Sequence, residues 1–286
     1  MTIKCILCNR SSLIFFKKVK SKKLYKCPEC NLIYTEKKKL NIKVQKKRNL
    51  YNLANYLSNW KIQEIKIKNI ILILQSKLKY GKILEVGSGF GLFAHILASN
   101  LNYKIEVLEP KLPLYFLKKN KDILIHRLTY QRYLKKCVKK YDCIIFIDVI
   151  EHFDNPYKIL IKTKKIMKKN GLVAIQVPNY KSLMAWLCNN WSWWMVEDHK
   201  VHFSSESIAR LLKRAGFTIL HFHTYEPFYD LKKNLDGNFT SITNQIIRKI
   251  SKLIYFSIFF PLYFALRKVI WQLGYGGLIF VIARKD

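Results

Sequence analysis

Acidic side chains are scarce in this sequence. Its 18 Asp and Glu residues stand against 52 Lys and Arg residues, so the formal net charge at pH 7 is +34. Lysine supplies most of this charge and is spread over nearly every segment instead of forming one basic block. The charge therefore fits two interpretations, a solvated basic surface or an attraction to phosphates or anionic lipid. Binding that keeps its full strength in high salt would exclude the second.

A sustained apolar stretch is missing from the N-terminal residues MTIKCILCNR. A signal peptide needs such a stretch, so we expect none and expect the protein to be cytoplasmic. Disorder is excluded because 50% of the 286 residues are hydrophobic and 14% are aromatic, enough for one full-sized core with a small appendage. Structural disulfides are not expected either, since four of the seven cysteines form two close pairs, a pattern typical of metal binding in a reducing compartment.

The paired cysteines have the spacing of a metal site. Each Cys-x-x-Cys pair is short enough for both thiolates to reach one ion, and 18 residues separate the pairs. Four thiolates favour tetrahedral Zn²⁺, so the predicted zinc ligands are Cys5, Cys8, Cys27 and Cys30. We predict a zinc ribbon over residues 1–35, with short strands at 13–17 and 23–26, that needs its metal to fold. The alternative is a redox-active dithiol or a chance arrangement.

Residues 82–91, with the sequence KILEVGSGFG, predict a strand that ends in a tight turn before a helix. The three glycines can adopt positive φ and carry no Cβ, so a ligand can lie against the backbone there. The next strand ends in Glu109, roughly 20 residues further on, where a carboxylate usually holds ribose hydroxyls. The spacing of Gly87, Gly89 and Gly91 does not fit the Gly-x-Gly-x-x-Gly of dinucleotide binders. It therefore favours a different nucleoside.

Strands and helices alternate from residue 81 onward. The predicted strands are 83–86, 105–108, 123–125, 141–147, 172–177, 218–225 and 277–284, and a helix is predicted over 156–168. This alternation predicts an α/β fold with a parallel sheet and helices on both faces. Ligands of such folds bind beyond the carboxyl ends of the strands, where Gly87, Glu109 and Asp148 fall.

The glycine turn resembles motif I of class I S-adenosylmethionine-dependent methyltransferases. Residues 147–156, IDVIEHFDNP, closely resemble the segment after the fourth strand in the subgroup that includes quinone-biosynthesis O-methyltransferases. The same family has Pro178-Asn179, an aromatic insertion, His199-x-x-His202 and Ala215-Gly216-Phe217 in this order, so the resemblance covers about two thirds of the chain. It implies a Rossmann-like sheet of seven strands in a methyltransferase domain over residues 81–286. It also implies that S-adenosylmethionine is held by Glu85, Gly87, Ser88, Gly89, Gly91, Glu109 and Asp148.

Methyl transfer from a sulfonium requires in-line positioning and the removal of a proton from the acceptor. The candidate bases are His152, His199 and His202, because imidazole titrates near the operating pH. We prefer the latter two, since the aromatic insertion before them is expected on the substrate side. In some relatives a set like Asp148, Glu151 and His152 holds a divalent cation, a role that these ligand types permit. The alternative is that Glu151 and His152 only orient a loop.

The resemblance implies O-methylation of a glycan, a lipid-linked sugar or a quinone-like phenol. The alternatives are a sugar C-methyltransferase and an RNA-binding or RNA-modifying zinc-ribbon protein. The Asn/Asp-Pro-Pro-Tyr/Phe signature of RNA amine methylation is absent after the fourth strand, so we do not expect a nucleic acid as the partner. The third strand ends in His126-Arg127-Leu128, without the acidic residue that often holds the adenine amine.

Three further segments leave alternatives open. Residues 36–80 predict a linker and one or two helices, in which Tyr51, Tyr56 and Trp60 either line a lid or face the core. The insertion 180–203 is either a substrate wall or a buried segment. The insertion 230–273 contains an apolar core, 253–266, that is too short to span a bilayer. We expect residues 248–268 to lie in a membrane interface at the inner face or to pack as an insertion or in a dimer.

Overall fold

The computed structural model of the chain describes residues 4–9, 12–36, 53–99, 102–118, 122–188 and 190–286. The helices in these ranges are α1 (Leu53–Ser58), α2 (Trp60–Lys77), α3 (Leu92–Leu97), α4 (Tyr130–Lys136), α5 (Pro156–Lys164), α6 (Leu183–Leu187), α7 (Ser205–Arg214), α8 (Phe228–Gly237) and α9 (Gln245–Gln272). The strands are β1 (Ile14–Val19), β2 (Lys22–Lys26), β3 (Ile33–Thr35), β4 (Gly81–Val86), β5 (Tyr103–Leu108), β6 (Leu124–His126), β7 (Tyr141–Ile147), β8 (Met167–Pro178), β9 (Val201–His202), β10 (Phe217–Tyr225) and β11 (Leu278–Lys285).

The main sheet contains seven strands in the order β10-β11-β8-β7-β4-β5-β6. Five neighbouring strands, from β6 to β8, are parallel, whereas β11 runs antiparallel to both β8 and β10. The carboxyl ends of β4, β5, β7, β8 and β10 therefore meet at one edge of the sheet. This topology confirms the predicted Rossmann-like α/β fold.

Helices cover both faces of this sheet. Alternate strand residues point to opposite faces, and apolar side chains of the central strands are buried on each face. Leu84 and Ile144 belong to one core cluster, which is packed under α4, α5 and α7. Their neighbours Ile83 and Ile145 belong to a second cluster, which includes buried side chains of α2 and α3. The unbroken apolar runs of the central strands are thus explained by burial on both faces.

The N-terminal cysteines lie next to the strands of a small sheet of the order β1-β2-β3-β9, in the turns before β1 and between β2 and β3. The sequence predicted β1 and β2 but not β3, whose Ile33 pairs with His202 of β9. Thr35 at the end of β3 also donates a hydrogen bond from Oγ1 to the His199 carbonyl, at 2.8 Å. The ribbon is therefore joined to the segment that carries two of the predicted bases.

One helix prediction is too long. The segment 156–168 was expected to be helical throughout, but α5 ends at Lys164 and β8 begins at Met167. Met167 pairs with Tyr141 of β7, and Tyr141 donates its backbone N–H to the Ile166 carbonyl. Buried apolar residues at this point fit either structure, and pairing with the sheet decides between them.

The aromatic insertion is packed into the protein. Trp191 and Trp194 are 2% and 4% exposed and belong to a cluster that includes Leu24 and Ile33 of the ribbon. The Trp194 ring lies 5.0 Å from the ring of His202. Of the two alternatives for this segment, the structure favours a buried insertion that fills the space between ribbon and main sheet.

The segment after β10 forms a longer helix than the sequence suggested. Its apolar core of 14 residues was judged too short to span a bilayer, but α9 has 28 residues and passes through Pro261 without ending. By length and composition alone α9 could cross a membrane, and only 6% of its most apolar window is buried. The 14-residue apolar core underestimates the length of the helix, because the helix continues through the basic residues at both ends of that core.

A buried carboxylate on β5 collects four hydrogen bonds. Glu106 is 4% exposed, and its oxygens lie 2.7 Å from Lys82 Nζ, 2.7 Å from His126 Nε2, 3.0 Å from Lys139 Nζ and 2.8 Å from the Tyr141 hydroxyl. Burial by itself raises the pKa of Glu106. The four hydrogen bonds outweigh it and lower the pKa to about 2.

We expect this carboxylate to make the fold sensitive to acid. A carboxyl with a lowered pKa in the folded state stabilises the fold above its unfolded pKa, and this contribution is lost as the pH falls through the folded value. For Glu106 the loss runs from about pH 4.5 toward about pH 2 and amounts to at most about 3 kcal/mol. Urea unfolding from neutral pH downward should show Glu106→Gln less stable than wild type near neutrality, and the difference in the free energy of unfolding should disappear in acid.

The control is Glu64→Gln, which removes a helix-surface pair with Lys68 and should lose less than about 0.5 kcal/mol of stability. An unchanged pH dependence in Glu106→Gln would contradict this assignment.

Candidate active site

The glycine turn after β4 has the backbone that the sequence predicted. Gly87, Gly89 and Gly91 have φ values of 71°, 59° and 86°. A Cβ at Gly87 would lie 2.7 Å from Val149 Cγ2, and a Cβ at Gly91 would lie 2.6 Å from Leu117 Cγ. At Gly89 no described atom lies within 4 Å of that position. Gly87 and Gly91 are therefore needed for packing, whereas Gly89 faces open space in which a ligand can approach the backbone.

Glu109 lies against this turn, at the end of β5. The side chain is 6% exposed, and its Oε2 accepts a hydrogen bond from the backbone N–H of Gly89 at 3.1 Å. Its Oε1 accepts from the backbone N–H groups of Lys111 and Leu112 at 2.9 and 3.0 Å. The carboxylate thus lies where the sequence predicted a ribose partner, and it also orders the loop that follows β5.

Glu85 and Ser88 lie beneath the turn. Glu85 is 3% exposed, and the Ser88 hydroxyl donates a hydrogen bond to its Oε2 at 2.8 Å. Burial raises the pKa of Glu85 to about 7, although the Ser88 hydrogen bond works in the opposite direction. A positively charged group bound nearby would favour the ionised carboxylate. This environment suits the cationic methionine part of S-adenosylmethionine.

Two aromatic side chains of the helical segment pack against the core cluster that includes α2 and α3, and one of them contacts the turn. The Tyr56 ring lies 4.9 Å from the ring of Phe90 within the turn, and the Trp60 ring lies 6.1 Å from that of Phe116. Burial raises the pKa of Tyr56, and so do the nearby charges of Glu85 and Asp148. Both rings therefore face the core, as one of the two alternatives predicted, and Tyr56 also lies close to the predicted cofactor residues. A lid over the cofactor stays a prediction. Tyr51, also predicted to line the lid, lies outside the described residues.

Asp148 follows β7 in the left-handed region, with φ of 54°. Gln176 Nε2 donates to both carboxylate oxygens at 2.8 Å, and Lys66 Nζ lies 3.6 Å from Oδ2. The Tyr225 hydroxyl in turn donates to Gln176 Oε1. This chain of contacts holds Asp148 at the carboxyl edge of the sheet, beside the glycine turn.

Glu151 and His199 form a buried pair next to Asp148. Glu151 is 1% exposed, and neither carboxylate oxygen has a hydrogen-bond partner among the described residues. His199 Nε2 lies 3.8 Å from Glu151 Oε1. Burial raises the pKa of Glu151 and lowers the pKa of His199. Burial therefore disfavours the charged form of both groups, and the neutral form of an imidazole has a nitrogen that can accept a proton.

His152 completes a three-residue cluster. Its ring lies 4.9 Å from the ring of His199, and its two ring nitrogens lie 3.3 and 3.2 Å from the carbonyl oxygens of Asp198 and Asp148. Three donor atoms, one each from Glu151, His152 and His199, lie within 4.8 Å of one another. They are close enough to hold a metal ion. The sequence proposed Asp148 as the third ligand of such a set. The Asp148 carboxylate instead contacts Gln176 and Lys66, and His199 joins the cluster from a distant part of the chain.

His202 lies between the ribbon and this cluster. It is 4% exposed, and its Nε2 lies 3.0 Å from Thr35 Oγ1. Burial and the positive charge of Lys17 lower its pKa to about 3. Its ring is 5.8 Å from that of His199. Its role as a base stays a prediction.

Three charged residues at this edge were not predicted from the sequence, namely Lys66, Glu226 and Asp230. Glu226, directly after β10, is 6% exposed, and its Oε1 has no hydrogen-bond partner among the described residues. Burial raises the pKa of Glu226 and of nearby Asp230, and the positive charge of Lys66 offsets only part of this rise. The sequence carried the signal, because Glu226 follows a predicted strand just as Glu109 and Asp148 do.

The residues present fit S-adenosylmethionine. Gly89 leaves the backbone open on the side that faces Glu109, and Glu85 supplies a buried carboxyl beneath the turn. No acidic side chain follows β6, where Arg127 donates to the Glu109 and Leu112 carbonyls instead. The Glu151–His199 pair lies next to Asp148, at the same edge of the sheet. A nucleoside and an acceptor can therefore be held side by side at one sheet edge.

Comparison with known proteins agrees with the predicted family and fold. A family model described as a methyltransferase domain matches residues 59–222, more than half of the chain. No curated protein sequence matches the chain significantly. The solved structures that share its fold include an S-adenosylmethionine-dependent methyltransferase from Archaeoglobus fulgidus. The two chains are 18% identical over 81% of this chain and 99% of the other, with a TM-score of 0.55.

Two further solved structures are similar. One is a methyltransferase from Thermotoga maritima, described as a possible histamine N-methyltransferase, which is 16% identical over 82% of this chain and 96% of its own with a TM-score of 0.51. The other is the 1,6-didemethyltoxoflavin-N1-methyltransferase of Burkholderia thailandensis, solved with S-adenosylhomocysteine bound. It is 11% identical over 95% of this chain and 99% of its own, with a TM-score of 0.50. At these identities the likeness shows a shared fold.

Proposed function

The chain belongs to the methyltransferase-domain family, and on that premise we propose that it transfers the methyl group of S-adenosylmethionine to a hydroxyl oxygen of a small-molecule, glycan or lipid-linked acceptor. The observation that carries this proposal is the arrangement of two sites along one sheet edge. The open backbone at Gly89 faces Glu109, and the buried Glu151–His199 pair lies beyond the neighbouring strand.

On this proposal the glycine turn and Glu109 hold the nucleoside, with the ribose hydroxyls donating to the carboxylate. When bound, the cofactor supplies a methyl group that its sulfonium makes reactive without further activation. Glu85 and Asp148 provide negative charge near that cation. Tyr56 and Trp60 close over the turn and exclude water from it.

The buried pair is the reason to prefer oxygen as the acceptor atom. A neutral amine attacks a sulfonium without prior loss of a proton, whereas a hydroxyl is a weak nucleophile that needs a base. The Glu151–His199 pair supplies one, with the acceptor proton passing to the imidazole and from there to solvent. His152, held by the two backbone carbonyls, keeps the His199 ring in place.

The test is transfer of an isotope-labelled methyl group from S-adenosylmethionine to pools of glycans, lipid-linked sugars and quinone-like phenols. We expect label in an O-methyl ether, identified by mass spectrometry and by the chemical shift of the methyl carbon. Label attached to nitrogen or carbon would overturn the assignment of the acceptor atom. Absence of transfer to all three pools, with cofactor binding intact, would overturn the acceptor class.

We also propose that the four ribbon cysteines hold a structural zinc ion. Cys5 Sγ lies 3.3 Å from Cys30 Sγ, Cys8 Sγ lies 3.3 Å from Cys27 Sγ, and all four sulfur atoms lie within 4.8 Å of one another. Tetrahedral Zn–S bonds of about 2.3 Å separate the sulfur atoms by roughly 3.8 Å, which this cluster accommodates. The donor set therefore fits Zn²⁺.

Loss of this zinc should impair turnover more than cofactor binding. The ribbon holds the segment with His199 through β3 and β9, whereas the glycine turn packs against Val149 and Leu117, so Cys30→Ser should lower the transfer rate at least about tenfold. Its affinity for S-adenosylhomocysteine should stay within about twofold of wild type. Elemental analysis should find one zinc less per chain in Cys30→Ser. Cys137→Ser, outside the ribbon, is the control and should keep the metal. Equal zinc content in both variants would refute the site.

A further inference from the structure

Helix α9 has two apolar faces, and the aromatic face packs on the protein. Tyr263 is 5% exposed, and Phe260 and Phe264 lie 5.5 and 5.9 Å from the ring of Phe228 on α8. Nearer the start of the helix, Tyr255 packs against Phe239 at 5.4 Å. These rings account for one side of the helix only.

The opposite face is aliphatic and exposed. Between Lys249 and Lys268, a stretch that the structure describes completely, every exposed residue except Ser257 is apolar. Leu253, Ile258 and Leu262 are 71%, 67% and 59% exposed. The Ser257 hydroxyl donates to the Ile254 carbonyl at 2.9 Å and so presents little polarity to the outside. A helix that is apolar all round is normally buried in protein or in lipid.

Both halves of α9 are tied to the folded body. Lys252 Nζ pairs with Asp236 Oδ1 at 2.7 Å, and the Thr224 hydroxyl of β10 donates to the Trp271 carbonyl at 2.6 Å. To thread through a bilayer, the helix would have to release these contacts and the aromatic packing between them. The aliphatic face is therefore available to lipid only if α9 lies parallel to the membrane plane.

The charges around this face match an anionic surface. Lys249 and Lys268 are exposed at the two ends of the aliphatic face, and Arg248 and Arg267 are partly exposed beside them. Basic residues in these positions reach lipid phosphates while the apolar side chains enter the bilayer. A second copy of this chain is a poor occupant, because each copy carries a formal charge of +34 and they would repel one another.

We propose that the aliphatic face of α9 docks the protein on an anionic lipid bilayer, with the helix in the interfacial plane and its basic ends on lipid phosphates. Binding of this type scales with buried apolar area and with electrostatic attraction to anionic lipid. The proposal does not depend on the acceptor of the methyl group. Its test measures binding to vesicles in the absence of cofactor.

The experiment is flotation with vesicles of phosphatidylcholine mixed with phosphatidylglycerol, against vesicles of phosphatidylcholine alone. We expect the full chain to bind the mixed vesicles more tightly. Ile254→Glu/Ile258→Glu should lower the partition coefficient more than about tenfold, because it removes two side chains from the apolar layer. Lys249→Gln/Lys268→Gln should lower it about fivefold for each charge removed.

The matched control is Leu72→Glu/Val138→Glu, which makes the same change in net charge at residues that are 64% and 89% exposed elsewhere on the protein. It should bind the mixed vesicles to within about threefold of wild type, since only two of many charges change. An equal loss of vesicle binding in Leu72→Glu/Val138→Glu and in Ile254→Glu/Ile258→Glu would attribute the effect to net charge alone and overturn the proposal. A lipid-free dimer that Ile254→Glu/Ile258→Glu dissociates, seen by light scattering, would also overturn it by assigning the face to a second copy. Unchanged melting temperatures would show that the fold is intact in all three variants.

Discussion

Gly89→Arg is expected to abolish binding of S-adenosylhomocysteine while leaving the fold intact. Apart from its chain neighbours, no described atom lies within 4 Å of a Cβ at this position, so the new side chain can leave the backbone without a clash and extend into the space in front of the turn. The positive φ of 59° adds a strain of about 1 kcal/mol for a residue with a Cβ. Calorimetric titration should show a loss of affinity of at least about 100-fold.

Gly237→Arg is the matched control for this experiment. Its Cβ also meets no described atom within 4 Å, but it lies at the end of α8, away from the glycine turn. It should bind S-adenosylhomocysteine as wild type does. Affinity retained in Gly89→Arg would mean that the nucleoside does not lie on the turn.

Glu109→Gln is a better test of the ribose partner than Glu109→Ala. The amide oxygen of the glutamine can keep part of the hydrogen bonding to the backbone of Lys111 and Leu112 in the loop.

The second large effect is expected at the buried pair. Glu151→Gln and His199→Asn should each lower kcat about 100-fold or more, the usual contribution of a positioned base. On this proposal neither residue contacts the nucleoside, so affinity for S-adenosylhomocysteine should stay within about twofold. Combined in one chain, the two changes should cost little more than either alone, because the pair acts as one unit.

His221→Asn serves as the control for the histidine change. His221 lies within β10 and contacts His223 at 2.8 Å, away from the carboxyl edge of the sheet, so its loss should leave kcat within about threefold. A normal kcat in both Glu151→Gln and His199→Asn would remove the proposed base. If the two changes instead removed a second equivalent of bound metal, the cluster would be a metal site and not a proton acceptor.

The sequence predicted those parts of the site that depend on short stretches of chain. Gly87, Gly89 and Gly91 lie in one turn, and Glu109 follows the adjacent parallel strand, so strand order alone brings them together. Glu226 could have been found by the same rule. It was missed because β10 lies in the antiparallel part of the sheet, where the chain direction at the edge is not evident from a βαβ pattern.

Contacts between distant segments could not be predicted. The pairing of Ile33 with His202 depends on how the ribbon docks, and the approach of His199 to Glu151 follows from that docking. Likewise, the apolar residues of α9 indicated a helix but not which face is covered. Only the aromatic packing on Phe228 and Phe239 shows that the aliphatic face is left exposed.

The most direct test of the account is a crystal structure of the protein with S-adenosylhomocysteine. We predict that the nucleoside lies over Gly87–Gly91, with the ribose hydroxyls donating to the Glu109 carboxylate and the sulfur directed toward the Glu151–His199 pair. A ligand bound elsewhere, or a ribose with no contact to Glu109, would contradict the account.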